Sequence, residues 1–90
     1  MRPESVQEVS VGERVYAICH SAGKITAMDG ICLHRGGPLG EGQVRDGYVV
    51  CPWHAWGWHC QTGENDYDPT KRTAMHEVKV EGDEIWLQVP

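Results

Sequence analysis

The sequence has no Lys/Arg-rich run and no basic face: 8 basic residues stand against 13 acidic ones, a formal net charge of −5. Nucleic acid is excluded as an expected partner on that ground. No apolar run approaches the roughly 20 residues of a membrane span, and the N-terminal MRPESVQEVS lacks the apolar h-region of a secretory signal. The expectation is a cytoplasmic protein with no membrane partner. Nowhere do apolar residues recur at the three-and-four spacing of a convincing amphipathic helix. Internal repeats, low-complexity tracts and interdomain linkers are also missing. No nucleophile-and-base pair and no open metal position can be read, so the chain is expected not to be an enzyme. Its 90 residues allow one domain, taken as 1–90, because a second core needs roughly another 50 residues. A chain this short buries only about two-thirds of its surface on folding and needs a staple besides its apolar core.

What is present is alternation. Val15, Ala17 and Cys19 alternate with Tyr16, Ile18 and His20, and turn signals such as Ala22-Gly23, Asp46-Gly47 and Gly82-Asp83 recur at short intervals. Period two with Gly-bearing turns predicts antiparallel strands, placed near 6–11, 14–20, 24–28, 43–45, 48–50, 56–60, 75–80 and 84–89. The class is all-β, a small sandwich or barrel. Residues 63–73, with Asn65, Asp66, Asp68 and Pro69, read as an irregular loop.

Two stretches break the alternation, Cys32 to Gly42 (CLHRGGPLGEG) and Cys51 to Trp56 (CPWHAW). Each reads as a loop at one end of the sheet, and each carries one Cys and one His. The spacing is Cys-x-His, sixteen residues, then Cys-x-x-His. Clustered Cys and His in a chain with no export signal point to metal before disulfides. Two chemistries satisfy the donor set of Cys32, His34, Cys51 and His54. One is a tetrahedral zinc site; the other is a 2Fe-2S cluster with two thiolates on one iron and two imidazoles on the other. Spacing alone leaves both open. The bland reading is buried cysteines and surface histidines without metal. Zinc fits less well because its loops commonly pair like ligands, whereas each loop here mixes types.

At these residues the sequence resembles the Rieske 2Fe-2S family, in particular the small soluble Rieske ferredoxins that feed bacterial oxygenases. The resemblance runs from about Val6 to Val89 and takes in both ligand boxes, Arg35-Gly36-Gly37-Pro38-Leu39, Tyr48-Val49-Val50, Thr62-Gly63-Glu64 and the closing hairpin Val80 to Ile85. It implies a β-sandwich of three small stacked antiparallel sheets whose two ligand loops form a cluster-binding tip. Cys32 and Cys51 would hold the buried iron and His34 and His54 the outer one, with a proline loop, best matched by Pro69, covering the cluster. With two thiolates and two neutral imidazoles, reduction leaves one negative charge where four thiolates would leave three, so the potential lies above that of plant-type ferredoxins, within about −150 to +300 mV.

Departures from the family narrow the expectation. Where respiratory Rieske proteins carry an extra cysteine in each ligand loop, this sequence has Gly37 and Trp53, so no loop disulfide forms. Their potential-raising hydroxyls are replaced by Trp56 and Trp58, and a potential near the low end of the range is expected. Fewer residues precede Val6 than in ferredoxins of this type, which would leave an open sheet edge and a monomer or weak homodimer.

The implied function is a one-electron carrier loaded by a ferredoxin reductase and docking transiently on a terminal oxygenase through a tip ringed by Arg35, Gly36, Pro38, Pro52, Trp53 and Ala55. The alternatives are a Rieske domain or subunit of an oxygenase and a zinc-stapled interaction module. Among the remaining residues, Cys19 and Cys60 read as free core cysteines, and His59 and Cys60 point to opposite faces, so they cannot both join the site. His20 and His76 read as surface residues without a task, Trp53 as lying at the cluster rim, and Glu64 to Asp68 as a solvated loop.

Overall fold

A computed structural model describes residues 2–33, 36–53 and 55–88. Nine strands form in the described residues: β1 (Ser5–Val11), β2 (Arg14–Ser21), β3 (Lys24–Asp29), β4 (Gln43–Arg45), β5 (Tyr48–Val50), β6 (Gly57–His59), β7 (Met75–His76), β8 (Val78–Glu81) and β9 (Glu84–Leu87). The single helical element among them is a 3-10 turn, Leu39–Glu41. The strands build three antiparallel sheets, ordered β1-β2-β3-β7, β4-β5-β6 and β8-β9. The all-β class and the three small sheets expected from the sequence are what the molecule has.

Turn chemistry sets the registers. At Asp46-Gly47 both residues have positive φ (51° and 84°), the mirror-image turn whose twist matches that of paired strands. It locks Arg45 opposite Tyr48 and Val44 opposite Val49; on its other side β5 pairs with β6, which puts Val49 opposite Trp58. Ala22-Gly23 does the same between β2 and β3 (53° and 75°), with Ser21 opposite Lys24.

The run expected as one strand over 75–80 is two. Met75–His76 pairs with Met28 and Ala27 at the end of the large sheet, and Glu77 is the step from which Val78–Glu81 leaves to pair with β9. One run of chain thus serves two sheets as two strands. This hairpin also explains why β2 is not half-solvated as its alternation predicts. Tyr16, Ala17, Ile18 and Cys19 are all buried: Ala17 and Cys19 face the second sheet, while Ile18 lies with Ile85 and Leu87 of the hairpin along a shared cleft.

Between the two larger sheets sits the core, made of Ala17, Cys19, Met28, Cys32, Leu39, Val49, Cys51, Trp58 and Cys60. Both loop cysteines belong to it. Cys19 and Cys60 face each other from β2 and the end of β6 and form a disulfide, with Cα atoms 6.2 Å apart, within the usual range. This corrects the expectation of two free core cysteines. Both are buried as expected, but their parities aim them at the same point between the sheets. The bond closes 41 residues of chain and joins the sheet that carries the second ligand loop to the large sheet.

β1 is a sheet edge, as expected, yet the described residues cover its middle. The 3-10 turn lies along it so closely that a Cβ on Gly40 would stand 2.7 Å from the backbone N of Glu8. His76 also departs from expectation. It is tied to Asp29 by Nε2 at 2.7 Å, its side chain 12% exposed, and it meets Tyr16 edge-on, because β7 turns it back over the large sheet.

Candidate metal centre

The two ligand boxes are built alike. The Cys32 N–H donates to the Gly37 carbonyl and the Cys51 N–H to the Trp56 carbonyl, each at 2.8 Å. Each loop is therefore closed over five residues by the amide of its own cysteine. In each, the fourth residue after the cysteine has positive φ, Gly36 at 75° and Ala55 at 58°. Glycine carries that conformation freely in the first loop, and an alanine carries it under strain in the second. The first loop is anchored further by the Ile31–Pro38 bridge and by Leu39 N–H to Gly30 O at 2.9 Å.

The loops meet at the sulfurs. Cys32 and Cys51 are each 2% exposed. A Cβ on Gly37 would stand 2.6 Å from Cys51 Sγ and 3.1 Å from Trp53 Cγ, so the first loop passes the second with no room for a side chain. At the two positions where no loop disulfide is expected from the resemblance, the glycine packs on the tryptophan.

Each sulfur accepts one N–H. The Trp53 amide donates to Cys51 Sγ at 3.4 Å, and the indole Nε1–H of Trp58, wholly buried, donates to Cys32 Sγ at 3.4 Å. Burial pushes the Cys51 thiol above its ordinary range; the Trp53 N–H opposes that, and the neighbouring Cys32 thiol adds to it. A pair of thiols crowded in a dry site, each already facing an N–H donor, is an arrangement that a bound cation would convert to thiolates. The donor set therefore fits an iron held by Cys32 and Cys51.

His34 and His54, and with them Arg35, lie outside the described residues. Among the described residues, no group of three or more His, Cys, Asp or Glu converges as a metal site. Trp53, expected at the rim, is half exposed beside the sulfur that its amide meets. At Trp58 the expectation is only the loss of a hydroxyl; inward parity on β6 sets this residue next to the buried cysteines, but residue type does not reveal which indole atom meets the sulfur.

The 63–73 loop is fastened to the second ligand box. Asn65 Nδ2 donates to Gly57 O, and the Gly57 N–H donates to Asp66 Oδ1, each at 3.0 Å. Asn65 Oδ1 in turn accepts the amides of Tyr67 and Asp68. Asn65 and Asp66 hold this loop in place, so Glu64 to Asp68 is more than a solvated turn; Pro69 is exposed.

The family model of the Rieske 2Fe-2S domain matches residues 1–81. The chain belongs to the Rieske 2Fe-2S domain family. Its cofactor is a Rieske-type 2Fe-2S cluster, and its function lies in electron transfer or in an oxygenase's Rieske component. Over 57 residues the chain is 37% identical to the oxygenase component of a 3-ketosteroid-9-alpha-monooxygenase of Mycobacterium tuberculosis. That segment is 63% of this chain and spans 14% of the length of that relative. The fold is similar to a chain in a complex of reduced oxygenase and oxidized ferredoxin in carbazole 1,9a-dioxygenase, with a TM-score of 0.87 and 26% identity over 98% of this chain and 92% of that one. It is also similar to the ferredoxin of carbazole 1,9a-dioxygenase from Nocardioides aromaticivorans IC177, with a TM-score of 0.84 and 19% identity over 97% and 86% of the two chains. Among the described residues, no helix is long and apolar enough to cross a membrane.

Proposed function

We propose that this Rieske protein is a one-electron carrier, a single domain over 1–90, that takes an electron from a ferredoxin reductase and delivers it to a terminal oxygenase. Cys32 and Cys51 hold the inner iron and His34 and His54 the outer one, and the cluster supplies the site at which the electron resides. The residues around it do the rest. The Trp58 and Trp53 N–H groups stabilise charge on the sulfurs, and burial keeps water from them. The observation that carries the reading is the apolar rim beside buried sulfur: Ile31, Leu33 and Trp53, which flank the two cysteines, are 47%, 60% and 51% exposed. Large apolar side chains on loops that bury a redox ligand suit brief docking, in which under about 1,200 Å² is covered and release is fast.

The chain is read as cytoplasmic, a monomer or weak homodimer. The Cys19–Cys60 disulfide is compatible with that compartment because neither residue has any exposed surface, and thiol exchange needs access to a sulfur. A second reading, the Rieske portion of an oxygenase, is favoured by the 37% identity to an oxygenase component.

Reductive titration separates the two when followed by mixing. The carrier takes up one electron per chain and loses it to a terminal Rieske oxygenase, forming no product alone. Oxygen insertion into a substrate by this chain with reductant only would overturn the carrier reading.

A further inference from the structure

We propose that Trp58, Trp56 and Tyr67 form a one-electron conduit between the protein surface and the sulfur of Cys32, through which the reduced protein discharges oxidising radicals. The inference rests on the carrier reading, in which Cys32 holds the inner iron.

The rings are contiguous. Trp58 is wholly buried, with Nε1 3.4 Å from Cys32 Sγ. The Trp56 ring follows at 6.2 Å between centroids, tilted by 42°. Tyr67 stacks on Trp56 at 6.2 Å and 27° and is 84% exposed. Exposure thus rises from nothing at the sulfur end to nearly complete at the outer end. The stack is also fastened, because the residues next to both outer rings are bonded to each other: Gly57 N–H to Asp66 Oδ1, Asn65 Nδ2 to Gly57 O, and Tyr67 N–H to Asn65 Oδ1. These bonds fix the backbone on both sides of the stack, which favours contact between the Tyr67 and Trp56 rings.

Indole and phenol give up one electron more readily than the other side chains without sulfur, and transfer in short hops between touching rings outpaces a single long tunnelling step. Lys71 Nζ lies 5.1 Å from the Trp56 ring centroid. A cation there disfavours positive charge on that indole, so Trp56 is a step through which charge passes, with no tendency to trap it. The reaction balances with a diffusible oxygen-centred radical as oxidant. The radical takes one electron from Tyr67, whose phenol releases its proton to water. Electrons then move outward from Trp56 and Trp58, and the reduced cluster that Cys32 would help to hold would make up the one-electron deficit, while Tyr67 regains a proton from water. The oxidant is reduced by one electron, one iron goes from ferrous to ferric, and no proton is consumed on the protein.

The test uses dithionite-reduced holoprotein, freed of excess reductant and flashed with photogenerated tris(bipyridine)ruthenium(III). Transient absorption should show a tyrosyl or indolyl radical that decays in step with oxidation of the cluster. Trp56→Leu should lose that fast phase and leave a longer-lived Tyr67 radical, and Lys71→Met, which removes the cation over the Trp56 ring, should speed the transfer. Radical decay and cluster oxidation at wild-type rates in both variants, with an unchanged cluster EPR spectrum, overturn the conduit alone. A starting sample with no reduced-cluster EPR signal overturns the carrier reading along with it.

Discussion

Trp58 donates its indole N–H to the sulfur of Cys32 across 3.4 Å, from a position with no exposed surface. A hydrogen bond to a ligand sulfur stabilises the reduced, more negative state more than the oxidised one, and so raises the potential. Replacing Trp58 by Phe keeps an aromatic ring and removes the donor. If the bond is worth about 1 kcal/mol more in the reduced state, the midpoint falls by about 40 mV for a one-electron couple. Redox titration of Trp58→Phe measures this, and an unchanged midpoint with an intact visible spectrum would show that the bond does no tuning.

Gly37 is where the two ligand loops touch. Its missing side chain leaves room for Cys51 Sγ, which a Cβ would meet at 2.6 Å. Gly37→Ala must push the loops apart, and the expected outcome is a folded protein with most of its cluster lost. Iron and labile sulfide per chain, measured beside the far-UV circular dichroism, check both halves of that statement.

The strands were legible in the sequence because Gly-bearing turns punctuate a period-two pattern, and the positions of β4 and β5 follow from Asp46-Gly47 alone. The two loops stood out because Cys, His, Gly and Pro broke that pattern. Three features were not legible. Glu77 splits one alternating run between two sheets without changing its parity, so periodicity does not register the break. Cys19 and Cys60 are 41 residues apart, and only the stacking of two sheets brings them together. The donor role of Trp58 depends on which atom of the indole reaches the sulfur, and residue type does not reveal that.

The disulfide is the staple that a chain of this size needs. Closing 41 residues removes unfolded-state entropy worth about 4 kcal/mol in the chain-entropy treatment. For a domain this small that corresponds to a Tm lower by about 15 °C or more in the Cys19→Ala/Cys60→Ala variant. Calorimetry of the variant, with cluster content measured in parallel, is the check; a Tm within a few degrees of wild type would show that the sheets hold together without the bond.

Two surface carboxylates make a small contribution to the acid limb of stability. The Ala22 N–H, with the Ser21 hydroxyl, holds Glu4 below its ordinary pKa, and the Thr70 hydroxyl and N–H do the same for Asp68. A depressed folded-state pKa contributes stability that is present above the unfolded value and lost as pH falls through the folded one. The loss therefore falls below about pH 4, and Glu4→Gln should flatten that part of the curve while leaving the neutral range nearly unchanged. Thermal melts from neutral pH into the acid range would show it; a variant curve parallel to wild type there would remove Glu4 from the explanation.

The most direct measurement is the EPR spectrum of the dithionite-reduced protein, compared with that of His34→Cys. Two imidazoles on one iron should give a rhombic signal with an average g below that of clusters bound by four thiolates, and the variant should move toward the all-thiolate spectrum with a lower midpoint potential. A silent spectrum from colourless protein, or a wild-type signal of the all-thiolate kind, would contradict mixed ligation by Cys32, Cys51, His34 and His54.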